Sequence, residues 1–398
     1  MNELDPALLR LRERILAADA DRRPLRIRGG GSKDFYGNTP QGELLETAGY
    51  RGIVDYEPTE LVITARCGTP LSDLEAALAE RGQWLPFEPP AFASQSGSTT
   101  IGGVVAAGLS GPGRQSAGAV RDYVLGAAMI DARGNALHFG GQVMKNVAGY
   151  DVSRLLCGSL GVLGVIAEVS LKVMPRPAAS TTVAIPIGAK DALRRLNEWG
   201  GRPLPISASA WHDEVLHLRL SGARAAVESA VSGFAQEHGA VRVDDAKTAA
   251  FWSALRHQTL PFFAPPEATS IHAAAPGAAA PVAVASDAVS VDAGNGAPRG
   301  IALWRLSVPS TAAPLSLPGE QLIEWGGAQR WWRTDAEPTL VRQAAARVGG
   351  HATLFRGGDR SAGVFTPLKP AVFELHRRLK AEFDPNGIFN PGRLVAGL

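Results

Sequence analysis

Apolar residues near the start of the chain recur at helical spacing. They are Leu4, Leu8, Leu11 and Ile15. This spacing predicts an amphipathic helix, which Pro24 ends. The following segment, PLRIRGGGS, predicts a short strand that runs directly into a glycine loop.

A strand, a loop and a helix follow one another between residues 60 and 82. ELVITARCG predicts a strand over Glu60–Gly68. Thr69 is the predicted N-cap of the next helix, with Pro70 at its first position, and the helix ends near Gly82. This alternation indicates an α/β or α+β domain.

The residues up to about 177 contain further strands and a glycine-rich turn. RDYVLGAAMIDARGNALHFGG predicts two strands that are joined by a turn at residues 132–135. After a Gly-Tyr-Asp turn and a short helix, glycines 158, 161 and 164 precede an apolar alternation over residues 165–173. That alternation predicts another strand. Pro175 and Pro177 mark a domain boundary.

The second half of the chain shows two strand–helix–strand patterns, which favour a ferredoxin-like antiparallel sheet. Between them, residues 264–300 are rich in Ala, Pro, Gly, Ser and Val and lack aromatic residues, so we expect a disordered insertion. The predicted fold is α+β. Its expected parts are a first domain at 1–177, a cap domain at 178–365 and a C-terminal segment at 366–398 that returns to the first domain.

Composition is that of an ordinary globular enzyme. The 398 residues are 45% hydrophobic and 20% charged, and 40 Lys and Arg balance 38 Asp and Glu, so a broad surface for nucleic acid is not expected. Two cysteines can neither build a disulfide framework nor ligate an iron–sulfur cluster alone. We therefore expect a cytoplasmic protein. It lacks an apolar signal core or a membrane-length apolar run, so any membrane association would be through partners.

Two glycine-rich segments carry the candidate chemistry. Successive backbone amides of RGGGS, at residues 28–32, suit a pyrophosphate, although a plain tight turn is the alternative. SGSTTIGGVVAAGLSG begins at Ser96 and could line a diphosphate or a flavin edge, or could be a closely packed turn and helix. The RGGGS segment is not a Rossmann fingerprint, because its spacing is not G-x-G-x-x-G, and it is not a P-loop, because no Gly-Lys-Ser/Thr follows.

These motifs occur in the order of a known family. RGGGS, STTIGGVVAAG, AGAVRDYVLGAAMID and KNVAGYDVSRLLCGSLGVLGVIAEVSL resemble the two-lobed FAD-binding domain of the vanillyl-alcohol-oxidase and p-cresol-methylhydroxylase type. FDPNGIFNPGRL is similar to the closing segment of its 2-hydroxyacid dehydrogenase branch. Within that branch, WGGAQRWWRT and GGHATLFRGGD resemble the FAD-binding E subunits of bacterial glycolate oxidases.

The resemblance implies non-covalent FAD, since the RGGGS loop has no histidine to bond the flavin. The residues to which it gives a cofactor role are Gly29, Gly30, Gly31, Ser32, Ser98, Thr99, Thr100, Ile101, Gly102, Gly103, Lys145, Tyr150, Gly158, Ser159, Gly161, Ile166, Asn390 and Arg393. Gly29 to Ser32 would hold the pyrophosphate, and residues 98–103 would form a second cofactor loop. Gly158, Ser159, Gly161 and Ile166 would contact the adenine–ribose side and the flavin edge. Lys145 and Tyr150 would lie near the isoalloxazine, and a cation there, Lys145 or Arg393, would stabilise the reduced flavin.

Catalytic members of the branch carry an H-x-G-D-G-N-x-H motif that supplies metal ligands and a base, and this sequence does not contain it. Catalytic residues are therefore unassigned, and no metal site is expected. His212 and His217 lie five residues apart on one strand-like segment, so they are expected on opposite faces. The neighbouring Trp331 and Trp332 favour core packing over a subunit interface.

The function that the resemblance implies is an FAD-binding subunit of a complex that oxidises glycolate or another small 2-hydroxyacid. Its expected partners are a homologous catalytic FAD subunit and an iron–sulfur subunit, which would carry the electrons onward. Two alternatives stay open: a self-sufficient FAD-dependent oxidase or dehydrogenase of another hydroxyacid or alcohol, and a non-catalytic flavoprotein assembly subunit.

Overall fold

The structure is a computed structural model that describes residues 5–92, 97–141, 151–264 and 300–398. The predicted disordered insertion falls almost entirely outside these ranges, and so do Lys145 and Tyr150. Residues 5–177, called the N-terminal region below, contain the first group of elements. The helices described there are α1 (Pro6–Ala20), α2 (Leu71–Glu80), α3 (Ile101–Ala107), α4 (Arg114–Ala117) and α5 (Val152–Leu155). The strands described there are β1 (Leu25–Arg28), β2 (Glu43–Glu46), β3 (Ile53–Glu57), β4 (Val62–Arg66), β5 (Gln83–Trp84), β6 (Val124–Ile130), β7 (Ala136–Gly140), β8 (Val165–Lys172) and β9 (Met174–Pro175).

The N-terminal region has two lobes. In one, β1 and β2 pair in parallel next to α1. In the other, a five-stranded sheet has the order β3-β4-β8-β6-β7 with antiparallel pairing throughout. The strand β8 is buried over almost its whole length because α1 covers one face of this sheet while α2 and α3 cover the other.

The alternation predicted for β8 is interrupted by a bulge. Opposite the step from Ala128 to Met129, β8 advances two residues, from Glu168 to Ile166, so Ala167 is an extra residue. Val165 and Ala167 therefore pack in the cluster that contains α1, whereas residues 169 and 171 pack with α2 and α3.

The N-terminus of α2 corrects a second expectation. The helix begins at Leu71, and Pro70, in an extended conformation, occupies the cap position predicted for Thr69. The Thr69 hydroxyl instead accepts from the amide of Gly52 (2.9 Å) and donates to the carbonyl of Arg66 (2.7 Å). Its hydrogen bonds thus hold the loop before the helix.

A second group of elements forms one continuous sheet, called the cap sheet. The strands described are β10 (Ala179–Pro186), β11 (Ile206–His212), β12 (Val215–Gly222), β13 (Val241–Arg242), β14 (Ala302–Ser307), β15 (Glu320–Glu324), β16 (Gln329–Thr334) and β17 (His351–Arg356). The accompanying helices are α6 (Ala189–Gly200), α7 (Arg224–His238), α8 (Asp245–His257) and α9 (Pro338–Arg347). The strand order is β13-β10-β12-β11-β15-β16-β14-β17.

The first four strands of the cap sheet, with α6 and α7, have the ferredoxin-like order that the sequence favours. The sequence pattern alone did not identify β10 and α6, which complete this unit. Pairing of Ala210 with Glu324 and of Trp211 with Ile323 joins it to the second unit. The described cap is therefore one eight-stranded sheet.

The two faces of the cap sheet have different neighbours. The helices α6, α7 and α9 cover one face, where Trp304 and Trp332 are buried. The other face packs on α8 and on the N-terminal region, through a cluster that includes Trp331, Phe355 and Phe92. Trp331 and Trp332 thus point to opposite faces, and both are core residues, as the sequence favours.

After the cap sheet, the chain returns to the N-terminal region through the helix α10 (Pro370–Phe383). The buried ammonium group of Lys380 donates to Asp384 (2.5 Å) and to the carbonyls of Val162 and Phe389 (both 2.7 Å). Asp384 in turn accepts from the amides of Ile388 and Phe389. This network fixes the segment FDPNGIFN against the lobe that contains β1. Among the described residues, no helix is both long and apolar enough to cross a membrane.

A buried ion pair joins the N-terminal region to the cap sheet. The guanidinium of Arg219, on β12, donates to both carboxylate oxygens of Glu88 at 2.7 and 3.0 Å. Both side chains are 10% exposed. Glu88 also accepts from the amide of Gly113 and has a φ of 47°, which is strained for a residue with a side chain. The surrounding contacts hold it in that conformation.

We expect Arg219→Met to destabilise the protein by about 3–5 kcal/mol, because it leaves the Glu88 carboxylate buried without its cation. Arg194→Met is the matched control, since Arg194 forms solvent-exposed pairs on α6 that contribute little to stability. Urea denaturation measures both changes in the free energy of unfolding. Equal, small losses in the two variants would contradict a stabilising role for the buried pair.

Candidate functional site

The two glycine segments predicted as a cofactor site meet in the structure. The hydroxyl of Ser32 lies 2.8 Å from that of Thr99. A Cβ on Gly30 would lie 1.5 Å from the carbonyl oxygen of Ser98, and one on Gly29 would lie 2.2 Å from the hydroxyl of Thr100. Only glycine permits this approach of the two backbones.

The first glycine loop leaves its backbone donors free of described partners. From Gly29 to Ser32, no backbone amide donates to an acceptor within the described part of the chain. The loop forms one wall of a groove, which Thr100, Gly103 and Leu160 also line. Free, convergent amides are the feature that binds the oxygens of a phosphate.

Cations accompany this groove. Lys33 and Arg393 line it, and Asp34, the one acid among the described lining residues, pairs with Arg28 at 2.8 Å. Burial lowers the pKa of Lys33 to about 7 and that of Arg393 to about 10, because water solvates neither charged group well. A bound anion would compensate for this loss of solvation. The groove therefore suits the pyrophosphate of FAD.

The C-terminal segment holds the loops that form the groove. The Asn390 side chain accepts from the amide of Ile27 (2.8 Å) and donates to the carbonyl of Leu160 (2.6 Å). The Arg393 guanidinium donates to the carbonyls of Asn38 and Asp34. Asn390 and Arg393 thus line the groove and position its walls.

The remaining predicted residues lie at varying distances from the groove. The segment 158–160 packs on the C-terminal end of α3, where the amides of Gly158 and Leu160 donate to the carbonyls of Val105 and Ala106. A Cβ on Gly161 would lie 2.8 Å from the Asn390 side chain. Ile166 is buried in the core of the five-stranded sheet, away from the groove lining.

In the second glycine loop, too, some residues line the groove and others pack in the core. Gly103 lines the groove. The Gly102 amide donates to the carbonyl of Cys67, and a Cβ on Gly102 would lie 2.7 Å from the Cβ of Cys67. Gly102 and the buried Ile101 therefore have packing roles. Lys145 and Tyr150 are outside the described residues, so their predicted contacts with the flavin remain predictions.

A second polar site, not identified from the sequence, lies where the cap sheet meets the N-terminal region. It is a cavity of about 20 Å³, called the interface cavity, and it includes Ser110, Gln258, Arg305 and Glu324 in its lining. This volume admits one water molecule. The side-chain oxygen of Gln258 is buried and has no hydrogen-bond partner among the described residues.

Glu324 is the titratable acid of the interface cavity. Glu324 is 4% exposed, and its carboxylate accepts hydrogen bonds from the indole N–H of Trp331 (2.5 Å) and from the side-chain amide of Gln329 (3.0 Å). Burial raises the pKa of Glu324 to about 7 despite these donors. A carboxyl group with this pKa can gain or lose a proton near neutral pH.

Aromatic rings fill the contact around the interface cavity. The ring of Phe355 lies 4.8 Å from that of Trp331 and 5.4 Å from that of Phe35, and Phe35 lies 5.2 Å from Phe92. The guanidinium of Arg356 lies over this group, 4.4 Å from the Phe35 ring, and burial lowers its pKa to about 10. No periodic pattern predicts this cluster, because its members come from four segments that are distant in sequence.

The histidines and cysteines of the described ranges do not form a reactive cluster. His212 and His217 lie on the same face of the cap sheet, because a hairpin turn between them pairs His217 with Ala210. The expectation of opposite faces is therefore wrong. Within the described ranges, no group of three or more His, Cys, Asp or Glu could hold a metal ion. Burial raises the pKa of Cys67 and of Cys157 to about 12.

Comparisons with known proteins agree with the geometry of the groove. Residues 10–140 match the family model of an FAD binding domain, and residues 357–394 match the C-terminal domain of FAD linked oxidases. The chain is 44% identical over 388 residues to the glycolate oxidase subunit GlcE of Escherichia coli strain K12, covering 98% of this chain and 97% of that protein.

Two further relatives are more distant. The glycolate oxidase subunit GlcD of Bacillus subtilis strain 168 is 32% identical over 173 residues, which cover 43% of this chain and 36% of that protein. A solved structure of alkyldihydroxyacetonephosphate synthase aligns with a TM-score of 0.62 at 13% identity, covering 96% of this chain and 75% of that one. The likeness to the solved structure confirms the fold.

We expect Gly30→Asp to abolish flavin binding, because its Cβ collides with the Ser98 carbonyl and its carboxylate repels the pyrophosphate. Gly49→Asp is the control, since Gly49 is exposed and a Cβ there meets no atom within 4 Å. Flavin released into the supernatant by acid precipitation, relative to protein, measures binding. A flavin ratio equal to that of the unmutated protein in soluble Gly30→Asp would contradict the assignment.

Glu324→Gln should change how stability depends on pH. The pKa of Glu324 rises from 4.5 to about 7 on folding, so its contribution is fully present below pH 4.5 and is lost as pH rises through 7. Removing the acid should lessen the loss of stability between pH 5 and pH 8 by up to about 3 kcal/mol. Melting temperatures across this range test it, with the exposed Glu320→Gln on the same strand as the control. Parallel pH profiles for Glu324→Gln and the unmutated protein would contradict the raised pKa.

Proposed function

Because this chain belongs to the family of the glycolate oxidase subunit GlcE, we propose that it is the FAD-bearing subunit of a complex that oxidises glycolate. The identity of 44%, which extends over nearly all of both chains, is the observation that carries the proposal. The chain is a member of the FAD-linked oxidoreductases. Its substrate is proposed to be glycolate or a similarly small 2-hydroxyacid.

The residues of the groove would hold the cofactor. The free amides from Gly29 to Ser32 would bind the pyrophosphate, and Lys33 and Arg393 would offset its charge. FAD, when bound, supplies an acceptor for two electrons and a proton from a hydroxyacid. We propose that it is held without a covalent bond, since the glycine loop offers no histidine.

The proposed partners follow from what this sequence lacks. Without an H-x-G-D-G-N-x-H motif, the chain has no counterpart of the base that catalytic relatives use, so a second FAD-bearing chain would supply it. Two cysteines cannot ligate an iron–sulfur cluster, so an iron–sulfur chain would carry the electrons onward. This chain would then support or relay the chemistry of the complex.

One observation favours a second candidate, an assembly subunit whose flavin meets no substrate. The contact between the cap sheet and the N-terminal region is filled by aromatic rings, and the interface cavity there admits only a water molecule. The same observation weighs against a self-sufficient oxidase that would hold its substrate at this cavity, because the cavity has no space for a hydroxyacid.

We expect the purified single chain to reduce a dye with glycolate at least about 10²-fold more slowly than the reconstituted complex, because it lacks a positioned base. The assay compares this chain alone, each partner alone, and the three chains together. Gly30→Asp in the mixture is the control that separates a need for this chain's flavin from a need for its presence. Loss of activity supports a relay, and retained activity supports the assembly role. Full turnover by the single chain would falsify the subunit proposal.

A further inference from the structure

A wide cleft lies between the outer edge of the cap sheet and the C-terminal segment. Its volume is about 1110 Å³, and its walls come from β14 and β17, from residues 36–41 of the N-terminal region, from residues 360–369 and from α10 with the residues that follow it. This volume exceeds the needs of a small hydroxyacid. The groove of the glycine loops lies elsewhere, and the cleft shares only Arg305 with the interface cavity.

The charges of this cleft have one sign. The cations in its lining are Arg305, Arg360 and Lys369, and the described lining contains neither Asp nor Glu. His351 and His376 also line it, and burial lowers the pKa of His351. We call it the basic cleft. Within the described residues, no carboxylate lies within ion-pair distance of Arg305 or Lys369. Arg360 is held by neutral groups, the carbonyls of Gly37 (2.7 Å) and Phe35 (2.8 Å).

The floor of the basic cleft is apolar and continues onto an exposed helix face. Phe365, Phe373 and Leu394 line the cleft together with Val372, which is 40% exposed. One helical turn beyond Val372, Leu375 lies outside the cleft lining and is 64% exposed. Farther along α10, Leu379 and Phe383 pack against the core. The helix thus leaves apolar surface uncovered beside the cleft.

These features distinguish a protein ligand from a small one. A small amphipathic anion would occupy the concave part of the cleft and leave Leu375 in water. A protein segment can fill the cleft and also cover the adjoining helix face, as amphipathic segments do in other grooves. Unpaired cations favour carboxylates in that segment, through charge complementarity.

We propose that the basic cleft docks an acidic, amphipathic segment of a partner subunit. Carboxylates of that segment lie against Lys369 and Arg305, and its aliphatic side chains pack on Val372 and Leu375. This inference rests on the proposed function, since it requires that the chain work within a complex.

The experiment measures assembly of the full chain with the catalytic flavoprotein and iron–sulfur chains by titration of purified subunits. Lys369→Glu and Leu375→Asp should each weaken assembly by about tenfold or more, because each places a carboxylate where the segment docks. The matched controls are Lys190→Glu, an exposed lysine of α6, and Val241→Asp, a 65% exposed residue of β13. Both controls should stay within about twofold of the unmutated chain.

The outcomes separate this inference from the proposed function. If the unmutated chain binds neither partner, both are overturned. If it assembles and both cleft variants assemble equally well, only the docking site is overturned. A thermal shift by millimolar octanoate that Lys369→Glu abolishes, with assembly unchanged, would assign the cleft to a small amphiphile and would also overturn the proposal. Equal flavin content in all variants shows that the groove is intact.

Discussion

The side chain of Asn390 connects the segments on which the cofactor groove depends. It joins the strand that precedes the first glycine loop to the turn that contains Gly158 and Gly161, through hydrogen bonds to Ile27 and Leu160. Asn390 has a φ of 41°, a conformation that asparagine tolerates better than most residues. Because Gly161 has no Cβ, the side-chain amide of Asn390 fits directly against it. This connection adds to the direct contacts of Ser32 with Thr99 and of Gly29 with Thr100 in holding the first loop beside α3.

The relation between the cap sheet and the N-terminal region depends on polar and aromatic contacts together. The bidentate pair of Glu88 and Arg219 fixes one side, and the rings of Phe35, Phe92 and Phe355 fill another. The bidentate ion pair fixes the relative orientation of the two side chains, whereas the packed rings fill the space between the two regions. Their combination leaves only the interface cavity open near Glu324. The family's two-lobed architecture is therefore present, and the described contact near Glu324 leaves room for no more than a water molecule.

The sequence predicted the parts of the fold that have local patterns. The α1 periodicity, the glycine loops and the strand–turn–strand over residues 121–141 all lie where the pattern places them. The sequence did not predict which way a side chain points after a bulge or a hairpin. Ala167 shifts the pattern of β8, and the turn between His212 and His217 puts both histidines on one face. The bulge and the hairpin turn each change the face of the sheet onto which later side chains point, and the amino-acid composition does not predict either of them.

Some residues of the candidate site could likewise be predicted from local sequence, and others could not. Gly29 to Ser32 could be predicted, because only glycine tolerates such an approach of two backbones. Glu324 and Arg305 could not, because their significance depends on burial and on neighbours that are distant in sequence. The basic cleft is a stronger case, since its cations belong to the cap sheet, a connecting loop and α10. Pairwise spacing along the chain contains no information about that convergence.

The bond between Ile27 and Asn390 spans 363 residues, and this separation has a consequence for synthesis in the cell. A ribosome adds about 5–20 residues per second, so roughly 20–70 s pass between the appearance of the first glycine loop and that of its partner. During that interval the loop lacks the asparagine that fixes it and the arginine that lines the groove. The groove proposed to bind FAD is therefore completed only after the cap sheet has been synthesised, and we expect cofactor loading in the last stage of folding.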